Sequence, residues 1–194
     1  SGSGQAARIT VSSGDNQTGI VGTALTAPFV VRVDDSLGNA VGDVAVSFAV
    51  TLGGGSLSVT SARTDGNGLA SARLTLGPTL GANTVAASSP GLAGSPVSFH
   101  ATGTAASAAK ISIVSGTNQT GTAGQELVKP LVVVVKDALD NPVLGAPVEF
   151  LVTSGSGRVD PATTLADALG NASTRLTLGP AAGTNAVSAS TPGA

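Results

Sequence analysis

The 194-residue chain carries nine basic and eleven acidic side chains for a net charge of −2, so it lacks the basic footprint that nucleic acid and anionic lipid require. It has no Cys, Met, Trp or Tyr and four Phe, which excludes disulfides and thiolate metal sites and disfavours an aromatic platform for stacking sugars. Apolar residues at 41% suffice for a core, and the most apolar run, Leu131 to Val135, falls far short of the roughly 20 residues of a membrane span.

The opening Ser-Gly-Ser-Gly reads as a linker or cloning scar over residues 1–5. From Ala7 the chain repeats itself. Ala7 to Gly22 aligns with Ala109 to Gly124, and the offset 109 − 7 = 102 then holds without a gap to Leu92 and Ala194. About 40 of the 86 aligned pairs are identical. They include Asn-Gln-Thr-Gly (16–19 and 118–121) and Arg-Leu-Thr-Leu-Gly-Pro (73–78 and 175–180). Such regular self-similarity marks a tandem duplication of a module of about 100 residues.

Period-two alternation predicts the strands. The first contributes Ile9 and Val11 to the core. In the second, Phe29, Val31 and Val33 align with Leu131, Val133 and Val135, and charge appears only on the intervening set, Val30, Arg32, Asp34 and Val132, Val134, Lys136. The first set therefore faces inward. Val46, Phe48 and Val50 follow, with Val148, Phe150 and Val152 as their counterparts. A short strand at Ser56 to Val59 comes next, then Ala70, Ala72, Leu74 and Leu76, and then Val85 and Ala87. Gly94 to Gly103 closes the first copy, with Val97, Phe99 and Ala101 inward and His100 outward. About seven short strands with Gly- and Pro-rich turns and no helical period predict an all-β fold, two tandem antiparallel β-sandwich domains.

The expected domains are residues 6–103 and 104–194. The second copy has no counterpart of Gly94 to Gly103, so its last strand is missing. Its sheet edge and core are expected to lie open, with either a continuation of the parent chain or a strand from a neighbouring chain to cover them. The small-residue join from Ala101 to Ile111 predicts modules set end to end as a rod with a modest hinge.

The spaced segments Ser13 to Val50, Thr64 to Ser88 and Ser95 to Gly103 resemble the bacterial immunoglobulin-like domain of the invasin/intimin type. The second copy carries the same pattern in Pro130 to Gly157 and Gly170 to Ser190. The resemblance covers nearly the whole chain. It implies immunoglobulin-like sandwiches in an extracellular bacterial setting, on the cell surface or secreted, within a stalk or adhesive array. The implied partners are neighbouring immunoglobulin-like repeats of the same or an adjacent chain; a surface receptor or glycan is left open.

No constellation for catalysis, cofactor or metal emerges. Asn16, Asn118 and Asn171 open glycosylation-type triplets, but the first two sit in polar bends that need unusual backbone angles. The acidic loops Val33 to Asn39 and Lys136 to Asn141 hint at calcium. Asp34 is replaced by Lys136, however, and Gly38 by Asp140, leaving Asp35/Asp137 and Asn39/Asn141 as expected turn formers. Asp65 to Gly68 likewise reads as a turn. His100 stands alone, without a nucleophile or ligand set. Arg73 and Arg175 fall on outward positions, suited to solubility or cross-strand contact. Lys110, Lys129 and Lys136 align with Arg8, Ala27 and Asp34, so no lysine crosslink is common to both copies. The function these features favour is a non-enzymatic spacer or stalk module. The alternatives are a filament subunit completed by a neighbour's strand, and an adhesive or carbohydrate-binding module using the divergent loops Thr60 to Asn67 and Ala162 to Leu169.

Overall fold

The alternating apolar positions become paired strands in the computed structural model, which describes residues 4–194. Residues 1–3 of the expected linker lie outside the described residues. Among the described residues no helix forms, and the chain divides into two compact units, Ser1–Thr104 and Ala105–Ala194.

Unit one contains β1 (Ala6–Ser13), β2 (Gln17–Ile20), β3 (Phe29–Asp35), β4 (Ala45–Leu52), β5 (Ser56–Leu57), β6 (Ser61–Arg63), β7 (Leu69–Ala72), β8 (Leu74–Thr75), β9 (Gly81–Ser88) and β10 (Val97–Thr104). One sheet runs β1-β3-β7, the facing sheet β2-β10-β9-β4-β6, and β5 pairs with β8. All these pairings are antiparallel except β10 with β2. The inward set from the sequence is the core: Phe29, Val31 and Val33 from one sheet meet Val46, Phe48, Val85 and Ala87 from the other. Phe99 of β10 is fully buried and stacks on Phe29 with ring centroids 4.7 Å apart and planes 18° apart. That contact joins the two sheets through their largest side chains.

Unit two contains β11 (Lys110–Ser115), β12 (Leu131–Lys136), β13 (Pro147–Ser154), β14 (Arg158–Asp160), β15 (Thr163–Leu165), β16 (Asn171–Thr177) and β17 (Ala186–Ser190). Its sheets run β11-β12-β16-β14 and β15-β13-β17. The second sheet has three strands where its counterpart has five. The core is Val133, Val135, Val148, Phe150 and Ala172, with Ile111, Val187 and Ala189 only partly buried against it.

The structure corrects several expectations. Asp34 does alternate away from the core, yet it is buried: the guanidinium groups of Arg8 and Arg32 reach its carboxylate at 3.4 and 2.7 Å. Val11 is 39% exposed rather than core, because β1 is an edge strand whose pairing slips between Val11 and Ser13. The strand expected at Ser56 to Val59 ends at Leu57. Ala70 to Leu76 keeps its inward alternation but is divided between β7, which pairs with β3, and β8, which pairs with β5. Both β2 and β6 lack the alternation that would announce them.

Candidate functional site

The repeated motifs are built to hold loops. Gln17 donates its Nε2 to the carbonyls of Gly14 (2.5 Å) and Ala27 (3.0 Å), and its Oε1 accepts the Ala27 N–H at 3.1 Å. Gln119 repeats this with Gly116 (2.7 Å), the Lys129 carbonyl (2.9 Å) and the Lys129 N–H (3.1 Å). The amide thus clamps two passing segments of backbone. The preceding Asn16 and Asn118 adopt the left-handed conformation, at φ 59° and 56°, which Asn tolerates better than most residues. In the second motif, a methyl group at Gly77 or Gly179 would overlap the carbonyl oxygen of Gly53 or Gly155, so only glycine permits these two loops to cross.

The two arginines of that motif serve different partners. Arg73 donates to the carbonyls of Leu25 and Thr26, each at 2.6 Å. Arg175 pairs with Glu126 at 2.9 Å. His100 is exposed as expected, but it is tethered: Asp15 accepts its backbone N–H at 2.6 Å and lies 3.4 Å from its Nδ1.

The acidic turns are satisfied from within. Asp35 accepts the N–H groups of Leu37, Asn39 and Gly4, each at 2.9 Å, and the Asn39 side chain at 3.0 Å. Asp137 receives Leu139 and Asn141 at 2.9 Å, Ala106 at 3.2 Å and the Asn141 side chain. The donation by the Asn39 side chain, then by the Gly4 and Asn39 backbone, lowers the Asp35 pKa from 3.8 to about 2. Burial works against the charged form of Asp137, yet the same set of donors outweighs it and holds its pKa below the usual value. These N–H groups occupy the oxygens a cation would need, and no group of three acidic or histidine side chains capable of holding a metal occurs among the described residues.

The swaps between copies are compensated. Gly38 and Asp140 occupy the same left-handed turn position, at φ 86° and 68°. Lys110 stands directly opposite Lys136 on the neighbouring strand but turns its Nζ to Asp140, 2.9 Å away. The carboxylate has moved from the strand to the turn and the cation has followed it. That hydrogen bond and charge lower the pKa of Asp140.

The divergent loops considered for adhesion form edge strands β6 and β15 followed by one shared turn. In that turn Asp65 caps Asn67 and Leu69, and Asp167 caps Leu169 and Asn171.

Unit two carries a groove of about 800 Å³ lined by Ile111, Ile113, Leu131, Phe150, Val187 and Ala189 among others. In unit one, Ile9, Phe29, Val85 and Ala87 at the matching positions are fully buried; Ile111, Leu131, Val187 and Ala189 are only half-buried. Ile113 is 67% exposed against 39% for Val11. In unit one this space holds β10. No alternation marks the groove in the sequence; the signal was the repeat itself, which showed one copy short of a strand.

Two facing antiparallel sheets with an internal duplication define immunoglobulin-like sandwich units, and solved structures of that class share the fold. The adhesin FdeC of Escherichia coli matches with 24% identity and a TM-score of 0.57 over 100% of this chain and 61% of the FdeC chain. InvD of Yersinia pseudotuberculosis matches with 18% identity and a TM-score of 0.55 over 91% of this chain and 51% of its own. The D0-D1 domains of intimin share 24% identity over 96% and 91% of the two chains, with a TM-score of 0.42. The fold is the all-β, immunoglobulin-like sandwich shared with FdeC and InvD. No protein-family model and no curated protein matches the chain.

Proposed function

We propose that this chain is a non-catalytic segment of a bacterial cell-surface or secreted adhesin-like protein, in which tandem immunoglobulin-like units act as a spacer. The carrying observation is that the largest polar side chains repeated at an interval of 102 residues are spent on the fold. Gln17/Gln119 clamp loops, Asp35/Asp137 and Asp65/Asp167 close turns, Arg73/Arg175 tie down neighbouring segments, and Asn83/Asn185 accept the N–H of Gly77/Gly179 at 3.2 Å. Repetition of such a stiff unit sets length. The adhesin fold shared with FdeC and InvD supports the surface setting.

Small-angle scattering tests the spacer role. A single compact body of this length has a radius of gyration of about 16 Å, while two units in line give roughly 22–25 Å. The extended value is expected. A value near the compact limit overturns the spacer reading.

A further inference from the structure

Unit one shows what its own closing strand does, residue by residue. β10 lies between β9 and β2, antiparallel to the first and parallel to the second. Val97, Phe99 and Ala101 stand opposite Ala87, Val85 and Asn83, while Ala101, Thr102 and Gly103 stand opposite Gln17, Thr18 and Gly19. Backbone bonds flank this ladder: Asn16 donates to His100 and Val21 to Thr104, each at 2.9 Å. In unit two both flanking elements are present, and no strand among the described residues lies between them. β17 supplies the counterpart of β9, with only β13 beside it. Residues 119–122, the counterpart of β2, belong to no strand, although the Gln119 clamp still holds this segment in place. The apolar floor that Phe99 covers in unit one is open in unit two as the groove over Phe150 and Val187.

We propose that this groove is a strand-acceptor site, and that its occupant is a single extended peptide with the side-chain pattern of β10. The repeat offset assigns the register. The strand runs antiparallel to β17, with a Val opposite Ala189, a Phe opposite Val187 and a small residue opposite Asn185. Its last positions run parallel to Gln119, Thr120 and Gly121. The aromatic position carries the recognition, since its ring drops between the sheets where Phe99 meets Phe29; Leu131 stands at the Phe29 position in unit two. The alternate positions face solvent and are unconstrained, and His100 has no required analogue because Thr117 replaces Asp15. The Gly103 position is less strict than in unit one. A methyl there meets Val21 at 3.0 Å, and Ala123 takes the place of Val21. Main-chain bonds on two edges supply affinity and the alternate pockets supply specificity, the logic of β-strand addition. The inference rests on the groove alone and does not depend on the spacer role.

The probe is a synthetic peptide spanning Gly94 to Thr104, titrated into the full ¹⁵N-labelled chain, with a Phe99→Asp peptide as control. Saturable shifts confined to residues 111–121, 150 and 183–189 are expected, and the Asp peptide should bind about 100-fold more weakly, as loss of a buried aromatic implies. Three results overturn the proposal. One is the absence of shifts, or equal binding of the two peptides. Another is perturbation of residues 17–20 and 81–88, which reports exchange with β10 of unit one. The third is self-association of the chain that the peptide does not dissolve, which makes a second copy the occupant.

Discussion

Replacing Phe99 with Ala should turn the closed sandwich of unit one into a likeness of the open one. Phe99 is fully buried and its ring stacks on Phe29 at 4.7 Å. Deleting a buried Phe side chain costs about 3–5 kcal/mol through lost transfer energy and the cavity left behind. The stacked pair belongs near the upper end, because Phe29 loses its ring contact as well. A unit of this size holds roughly 5–15 kcal/mol in total, so the variant should fold with a much lowered midpoint. With an m-value of about 1–1.5 kcal/mol/M in urea, the midpoint of unit one falls by roughly 2–5 M. Denaturation followed by NMR separates the two units, since the chain has no Trp or Tyr to report fluorescence. The slope should be unchanged and the unit-two transition unmoved. A loss below about 1 kcal/mol would refute the reasoning, showing that β10 is held by its backbone ladder rather than by this ring.

The matched pair Phe48 and Phe150, each 2% exposed, should respond unequally to alanine. Phe48→Ala leaves a sealed cavity, whereas Phe150→Ala enlarges a groove already open, so urea denaturation should show it costing about 1–2 kcal/mol less. Gln119→Ala removes three hydrogen bonds to backbone and should cost about 1–2 kcal/mol, with faster hydrogen exchange at the Lys129 amide as the local reading. The pKa of Asp35 is lowered from 3.8 to about 2. Its ionised form therefore stabilises the fold above the unfolded value, and that contribution is lost as pH falls through the folded one. Asp35→Asn should flatten this acid-side slope in pH-dependent unfolding; an unchanged slope would remove Asp35 as its source. Gly77→Ala should destabilise unit one by about 3 kcal/mol or more, through collision with the Gly53 carbonyl, as measured by thermal melting.

The sandwich was legible because its core obeys one periodic rule. The inward positions at Phe29, Val31, Val33, Val46, Phe48, Val85, Ala87 and Phe99 are all buried, and in β3 and β4 the second copy changes charge only on the other face, at Arg32/Val134, Asp34/Lys136 and Ser47/Glu149. What escaped depended on partners distant in sequence. β2 is polar and short, and it exists because β10 lies beside it; where that neighbour is absent, the same Asn-Gln-Thr-Gly forms no strand. Burial of Asp34 required two arginines on different strands. The loop clamp made by Gln17 spans ten residues, and no local pattern distinguishes it from a solvated amide. The depth of the groove and the two edges that frame it are visible only in the folded chain.

The parallel pairing of β2 with β10 has a consequence under mechanical load. β1 and β2 are one stretch of chain broken by a bend near residue 16, and β10 leads out of the unit. Tension applied along the chain pulls the entering and leaving strands in opposite directions, so the rungs between β2 and β10 are loaded together in shear. Among the described residues of unit two no such parallel pair forms, and β17 pairs only with β13, antiparallel. A strand seated in the groove beside residues 119–121 would add the rungs that load in shear.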